Sequence, residues 1–188
     1  ILDHTGYTVY DNIIGKHIID NSCGDGAFLI EVVSRYCKVF NGTTDELAAH
    51  LQTYIHGIEI DKDERDKCVA NLNKVVSQYG IASINWDVLC ADTLTISTYN
   101  AKMDYVVGNP PYVRVHNLES SYDNVKTYKF ANGGMTDLYL VFFEIGFNML
   151  KPDGQLCYIT PSSWLSSVAA ENMRRYILTS RNLTSLID

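Results

Sequence analysis

The order of elements predicts an α/β protein with a Rossmann-like, mostly parallel sheet and helices on both faces. Three observations carry it: short apolar runs alternate with segments of helical period, a glycine turn follows the first run, and acidic residues close three successive runs. His17-Ile18-Ile19-Asp20 is the first strand, ending in an acid, and Ala27–Phe40 follows as a helix with Leu29, Val32, Val33, Tyr36 and Phe40 at helical spacing. A short helix is expected over Asp45–Thr53 and a second strand over Tyr54–Ile60. Lys62–Tyr79 reads as a helix with Val69, Leu72, Val76 and Tyr79 on one side and Gly80 placed to cap it. Ser83–Asp92 alternates Ile84, Trp86, Val88 and Cys90 toward one side, as a strand does. Asp104–Gly108 is a fourth strand that runs into Asn109-Pro110-Pro111-Tyr112, where the prolines stop the ladder. A polar stretch covers residues 113–136. A buried helix is expected over Asp137–Leu150, a strand over Gln155–Thr160, a helix over Ser166–Thr179, and the start of a sixth strand over Leu183–Asp188.

The 188 residues suffice for one domain with a single core, read as residues 1–188 of a catalytic domain cut at both ends. With 46% hydrophobic and 20% charged residues, the composition excludes a disordered chain, a collagen-like rod and a coiled coil. The apolar stretch Leu138–Leu150 is interrupted by Glu144 and Asn148 and falls short of the ~20 residues that span a bilayer, so no membrane partner is expected. Cys23, Cys37, Cys68, Cys90 and Cys157 form no C-x-x-C pair and read as reduced, buried thiols of a cytoplasmic protein. His4, His17, His50, His56 and His116 lack ligand spacing, so no bound metal is expected. Fifteen basic residues against 22 acidic ones give a net charge of −7, which opposes polyanion binding by the chain as a whole.

The segment Asp20-Asn21-Ser22-Cys23-Gly24-Asp25-Gly26 combines a sharp turn with a following helix N-terminus. A purely structural turn would use the same glycines. Leu29 stands where a dinucleotide fold wants a third glycine, no G-K-[ST] follows, and Asp20 would repel a pyrophosphate. Glu59 closes the second strand, where a carboxylate can accept both hydroxyls of a ribose, while Asp61 takes the helix-capping role. Asp92 closes the third, placed either to accept from an adenine amino group or to cap the turn after it. Together the three acids describe a pocket for a phosphate-free nucleoside that carries an amine, and S-adenosylmethionine is such a ligand.

In Asn109-Pro110-Pro111-Tyr112 two prolines fix φ and remove two donors, leaving an acceptor-rich corner. The Asn109 amide oxygen and the Pro110 carbonyl could each take one hydrogen of a planar NH2 group, and Tyr112 offers a face for a base taken out of its stack. A rigid loop with an aromatic plug, or a Pro-Pro-Tyr ligand for another domain, uses the same residues.

These motifs resemble the S-adenosylmethionine-dependent N6-adenine DNA methyltransferases of restriction–modification systems. Asp20–Leu29 (DNSCGDGAFL) is similar to the family's D-P-A-C-G-S-G-x-F-L motif and departs from it at Asn21, Ser22 and Asp25. Asn109–Tyr112 matches the catalytic N-P-P-Y motif, and Asp137–Leu165 resembles the helix, turn and strand that follow it. The resemblance implies catalytic roles for Asn109, Pro110, Pro111 and Tyr112. It implies cofactor contacts from Asp20, Ser22, Cys23, Gly24, Gly26 and Phe28, from Glu59 and Ile60, from Asp92 and Thr93, and from Asn109. It also implies double-stranded DNA as partner, together with a restriction endonuclease or a specificity domain or subunit. The family's glycine–aromatic–Thr-Pro motif is expected upstream and the target recognition domain after Asp188. Arg114, His116, Lys126 and Lys129 are the candidate DNA-facing residues, and Arg174, Arg175 and Arg181 read as a solvated helix end. The same corner on a protein glutamine amide or an rRNA guanine is the alternative, as is a non-catalytic cofactor-binding module.

Overall fold

The computed structural model describes residues 1–115, 122–131, 136–180 and 183–187, the side chains of Tyr122 and Asp123 excepted. The chain divides into two compact units: residues 1–109 with 149–158, and residues 110–148 with 159–188. Among the described residues, apolar clusters occur in both units.

In the first unit, β1 (Ile18–Asp20), β2 (Ile55–Glu59), β3 (Asp87–Cys90), β4 (Met103–Gly108) and β5 (Leu150–Tyr158) form one sheet in the order β3-β2-β1-β4-β5. Every pairing is parallel. The register sets Asp20 opposite Gly57 and Val107, and Glu59 opposite Cys90, so the acids at the carboxyl ends of β1 and β2 share one edge. That edge is where the reversal of strand order on the two sides of β1 opens a parallel sheet to ligands.

The helices α1 (Ala27–Val39), α2 (Thr44–Tyr54) and α3 (Lys62–Ser77) join the strands. Their apolar residues Leu29, Val32, Tyr36, Leu51, Leu72 and Val76 are buried in one cluster with Ile18, Ile55, Val88 and Val107 of the sheet. Each fully buried large apolar side chain there contributes roughly 1.5–3 kcal/mol. Thr43 closes a capping box with Glu46 at the start of α2, and Asp61 caps α3 by accepting from Asp63 N and Glu64 N at 2.8 and 3.1 Å, as its position predicts.

Three expectations for this unit need correction. The strand expected over Ser83–Asp92 pairs only at Asp87–Cys90; Ile84 and Trp86 are buried by packing, with Asn73 Oδ1 accepting from Ile84 N and Trp86 Nε1 in place of a ladder partner. Cys90 is exposed and Cys157 half-buried, so the thiols are not uniformly buried, because both lie at or near strand ends. β5 begins at Leu150, ahead of the expected Gln155, because Leu150 already pairs with Met103 before the turn that carries Asp153 at φ +66°.

The second unit contains α4 (Tyr122–Val125), α5 (Leu138–Met149, its last residue excepted) and α6 (Glu171–Ser180). Phe130, Tyr139, Leu140, Trp164, Met173 and Ile177 form its core. Residues 113–115 run antiparallel to 136–138 through Val115 N to Thr136 O and Leu138 N to Val113 O. The helix expected from Ser166 starts at Glu171, after two 3₁₀ turns at Ser162–Leu165 and Val168–Ala170. Arg174 is no solvated helix end: its guanidinium donates to Trp164 O at 2.7 Å and Ser167 O at 2.5 Å, tying those turns to α6. Arg175 is exposed and pairs with Glu171, while Arg181 and His116 lie outside the described residues. The sixth strand expected over Leu183–Asp188 does not form at residues 183–187, which are exposed and irregular.

Candidate cofactor and target site

The glycine turn after β1 is held from three neighbouring strand ends. Gly24 N donates to Glu59 Oε2 at 2.8 Å, Thr93 Oγ1 donates to Asn21 O at 2.7 Å, and Ser22 Oγ donates to Asn109 O at 3.4 Å. The ends of β2, β3 and β4 therefore converge on residues 21–24. Gly26, at φ +91°, opens α1; a Cβ there would lie 2.7 Å from Cys68 Sγ, so only glycine lets the turn pass so close to α3. The N-cap of α1, Gly26, has no side chain to cap the first N–H groups, and no acid lies in the first turn, which leaves that end electropositive.

Asp20 is 1% exposed. Its Oδ1 accepts from Ser22 N at 3.0 Å, whereas Oδ2 is buried without a hydrogen-bond partner among the described residues. Burial pushes its carboxyl up to about 7, against the Ser22 N–H bond and with the charge of Glu59 adding to the rise. A buried carboxyl with an unused oxygen is costly unless a donor from outside the chain completes it. Glu59 spends one oxygen on Gly24 N and the other on Asp61 N, at 2.8 and 2.9 Å, which orients the carboxylate and leaves lone pairs on both oxygens. Ile60 beside it is 66% exposed, an apolar platform next to the acid. Asp92 accepts from Leu94 N at 3.0 Å and so does cap the turn after β3.

The remaining candidates divide by accessibility. Ser22, Gly24 and Phe28 are half-buried at the turn. Cys23 and Thr93 are buried, and the Thr93 hydroxyl is engaged with Asn21 O; these two brace the turn from within. Contact with Cys68, together with burial, holds the Cys23 thiol well above its usual range. Asn109 is exposed at the end of β4.

Pro110, Pro111 and Tyr112 open the second unit. Pro110 is buried, and Tyr112 is 47% exposed. Its hydroxyl donates to Ile159 O at 2.9 Å and its ring meets Tyr139 edge-on at 6.1 Å, which fixes the ring plane. Arg114, Lys126 and Lys129 are exposed on the same unit.

Two features of the site carry no motif signal. Asn21, fully buried, accepts from Tyr158 Oη at 3.0 Å and so links the turn to the end of β5. Its departure from the family's proline is the one hint in the sequence. Gly108, at φ +154°, lies where a Cβ would come within 2.8 Å of Asp20 Oδ1, so the acid fits only against bare backbone.

Residues 25–188 match the Eco57I restriction-modification methylase family. The chain belongs to that family. Among curated relatives of this Eco57I-family chain, the Type II methyltransferase M.BstVI of Geobacillus stearothermophilus is 30% identical over 203 aligned residues, covering 100% of the chain and 36% of that protein. The modification methylase CviBIII of Paramecium bursaria Chlorella virus NC1A is 31% identical, covering 90% of the chain and 37% of that protein. The chain thus spans little more than a third of the length of these relatives. Among solved structures, the Type ISP restriction-modification enzyme LlaGI in complex with a DNA substrate mimic aligns with TM-score 0.66 at 17% identity, over 93% of the chain and 18% of its own. The M protein of the Type I restriction enzyme EcoKI aligns with TM-score 0.60 at 17% identity, over 87% of the chain and 34% of its own. At these identities the structural likeness speaks for the fold.

No helix among the described residues is long and apolar enough to cross a membrane, and no cluster of three metal-binding side chains occurs among them.

Proposed function

We propose that the protein is the catalytic part of an adenine-specific DNA methyltransferase of a cytoplasmic restriction–modification system. It takes the methyl group from S-adenosylmethionine and places it on the N6 amino group of an adenine flipped out of double-stranded DNA. The observation that carries this reading is the buried, incompletely bonded Asp20 carboxyl beside Glu59, with an acceptor-rich Asn109-Pro110 corner following β4. An amine-bearing nucleoside would complete that set of groups, and a phosphate would not.

In this reading Asp20 and the uncapped start of α1 take the amino-acid end of the cofactor, Glu59 the ribose hydroxyls, and Ile60 and Asp92 the adenine. When bound, the cofactor supplies an electrophilic methyl group. Asn109 and Pro110 accept the two hydrogens of the target amino group and draw electron density onto its nitrogen, which gains the methyl and releases a proton. Tyr112 stacks against the flipped base. Arg114, Lys126 and Lys129 face the DNA phosphates, and residues outside this chain supply base reading and much of the positive surface. A restriction endonuclease or a specificity subunit is the expected protein partner.

The test is transfer of labelled methyl by the full-length protein to duplex DNA, followed by digestion to nucleosides. N6-methyladenine is the expected product; label in 4-methylcytosine, in rRNA guanine or in a protein glutamine would overturn the assignment. Asn109→Ala should lower transfer by at least about 10²-fold, the scale of losing one preorganised polar contact to the reacting group, with cofactor binding retained in calorimetry.

A further inference from the structure

A second group of polar side chains gathers at the opposite, amino-terminal edge of the sheet, away from the strand-end acids. A cavity of about 320 Å³ opens there, and its polar lining is His17, His56, Thr98, Tyr99, Lys102 and Lys151. Its floor includes Met103, the first residue of β4. The volume lies at the lower end of small-molecule sites.

Every one of those six side chains can donate a hydrogen bond and none is a carboxylate, in a protein where acids outnumber bases 22 to 15. The acids nearby are occupied. Asp87 accepts from Tyr99 Oη at 3.0 Å and lies 2.6 Å from His56 Nδ1; burial alone would raise its carboxyl, yet His56 and Tyr99 hold it below the ordinary range. Asp104 alone serves Lys151 at 2.7 Å, Lys16 at 3.6 Å and the backbone N–H of His17 at 2.9 Å. Lys102 has no ion-pair partner among the described residues. The balance is a local surplus of positive charge.

The wall is also stiff. His17 Nδ1 lies 2.9 Å from His56 Nε2 with the rings stacked at 12°, so His17, His56, Asp87 and Tyr99 form one hydrogen-bonded chain from the residue before β1 across β2 and β3 to the turn after residue 97. Burial, then His56 and Lys151, hold the His17 imidazole below its usual value, against Asp104. Ala101 is held at φ +55°, a conformation that alanine rarely takes, between Tyr99 and Lys102. The turn around it is closed by Lys102 N, which donates to Tyr99 O at 3.2 Å and Met149 O at 3.0 Å, so the backbone that carries Lys102 is fixed.

We propose that this cavity is a second ligand site, for a small phosphate-bearing molecule. A phosphoryl group offers three acceptor oxygens to the Lys102 and Lys151 ammonium groups and the Thr98 hydroxyl, more than the two of a carboxylate. The half-buried His17 ring offers a face to an organic body attached to it. The site is independent of the methyl-transfer reading.

Calorimetry on the full-length protein with inorganic phosphate and with ribose 5-phosphate tests the assignment and separates the free ion from a sugar phosphate. Saturable binding of at least one probe is expected, weakened at least about tenfold by Lys102→Glu, the scale of one lost ionic contact, and largely restored by Lys102→Arg. S-adenosylmethionine binding should be unchanged in both variants. No saturable binding of either probe, equal affinity in Lys102→Glu, or displacement of the probe by duplex DNA would overturn it.

Discussion

The carboxylate of Asp20 occupies the space that a side chain on Gly108 would need: a Cβ there would lie 2.8 Å from Asp20 Oδ1. The two residues end adjacent parallel strands, so the close approach is set by the sheet itself. Gly108→Ala must push the carboxyl aside and also force alanine to φ +154°. We expect a stability loss of roughly 1–3 kcal/mol and cofactor binding weaker than wild type. Thermal melts and calorimetry measure the two; a variant with unchanged melting would contradict the packing described.

Asp20 makes folding depend on pH in a definite direction. Its carboxyl stands at about 7 folded, against 3.8 for the free group, so between those values the folded chain holds a proton that the unfolded chain has lost. Its contribution to stability is therefore unpenalised below pH about 4, falls as pH rises, and is fully lost above about 7. Asp20→Asn should remove that slope and gain up to about 4 kcal/mol over wild type at pH 8, with little difference at pH 4. Urea unfolding of both proteins across this range shows whether the slopes part.

Glu59→Gln replaces one acceptor oxygen by a donor where both oxygens receive backbone N–H groups. One of those bonds must break. Cofactor affinity should drop about 10–100-fold, the cost of a charged hydrogen bond, and the Gly24 amide should exchange faster with solvent. Calorimetry and hydrogen exchange report the pair; loss of affinity with unaltered exchange would separate the two roles.

Much of this was legible in the sequence. Short apolar runs closed by acids gave the parallel sheet, since a strand covered on both faces needs no alternation. The capping role of Asp61 followed from its place ahead of a helical period. What escaped was set by tertiary contact. Ile84 and Trp86 alternate as a strand would but are buried by the Asn73 side chain and packing rather than by a ladder. Arg174 looked solvated because the carbonyls it serves lie up to ten residues away. Within the site, the positions of Asp20 and Glu59 were readable. The fit of Gly108 against Asp20 and the burial of Asn21 were not, because each depends on a neighbouring strand.

Tyr158→Phe isolates one of those hidden contacts. It removes the hydroxyl that donates to Asn21 Oδ1 and leaves a buried acceptor short of its partner. The expected cost is about 1–3 kcal/mol in denaturant unfolding. If the variant is as stable as wild type, Asn21 is satisfied by other means.

β1 spans only Ile18–Asp20, too little ladder to stay put by itself, yet it is gripped before its start and after its end. Asp104 holds the amide of His17, while Thr93 and Tyr158 hold Asn21. The sheet's centre thus works as a keystone whose firmness comes from its neighbours. Loosening any one of three distant side chains should blur the position of Asp20 without touching it.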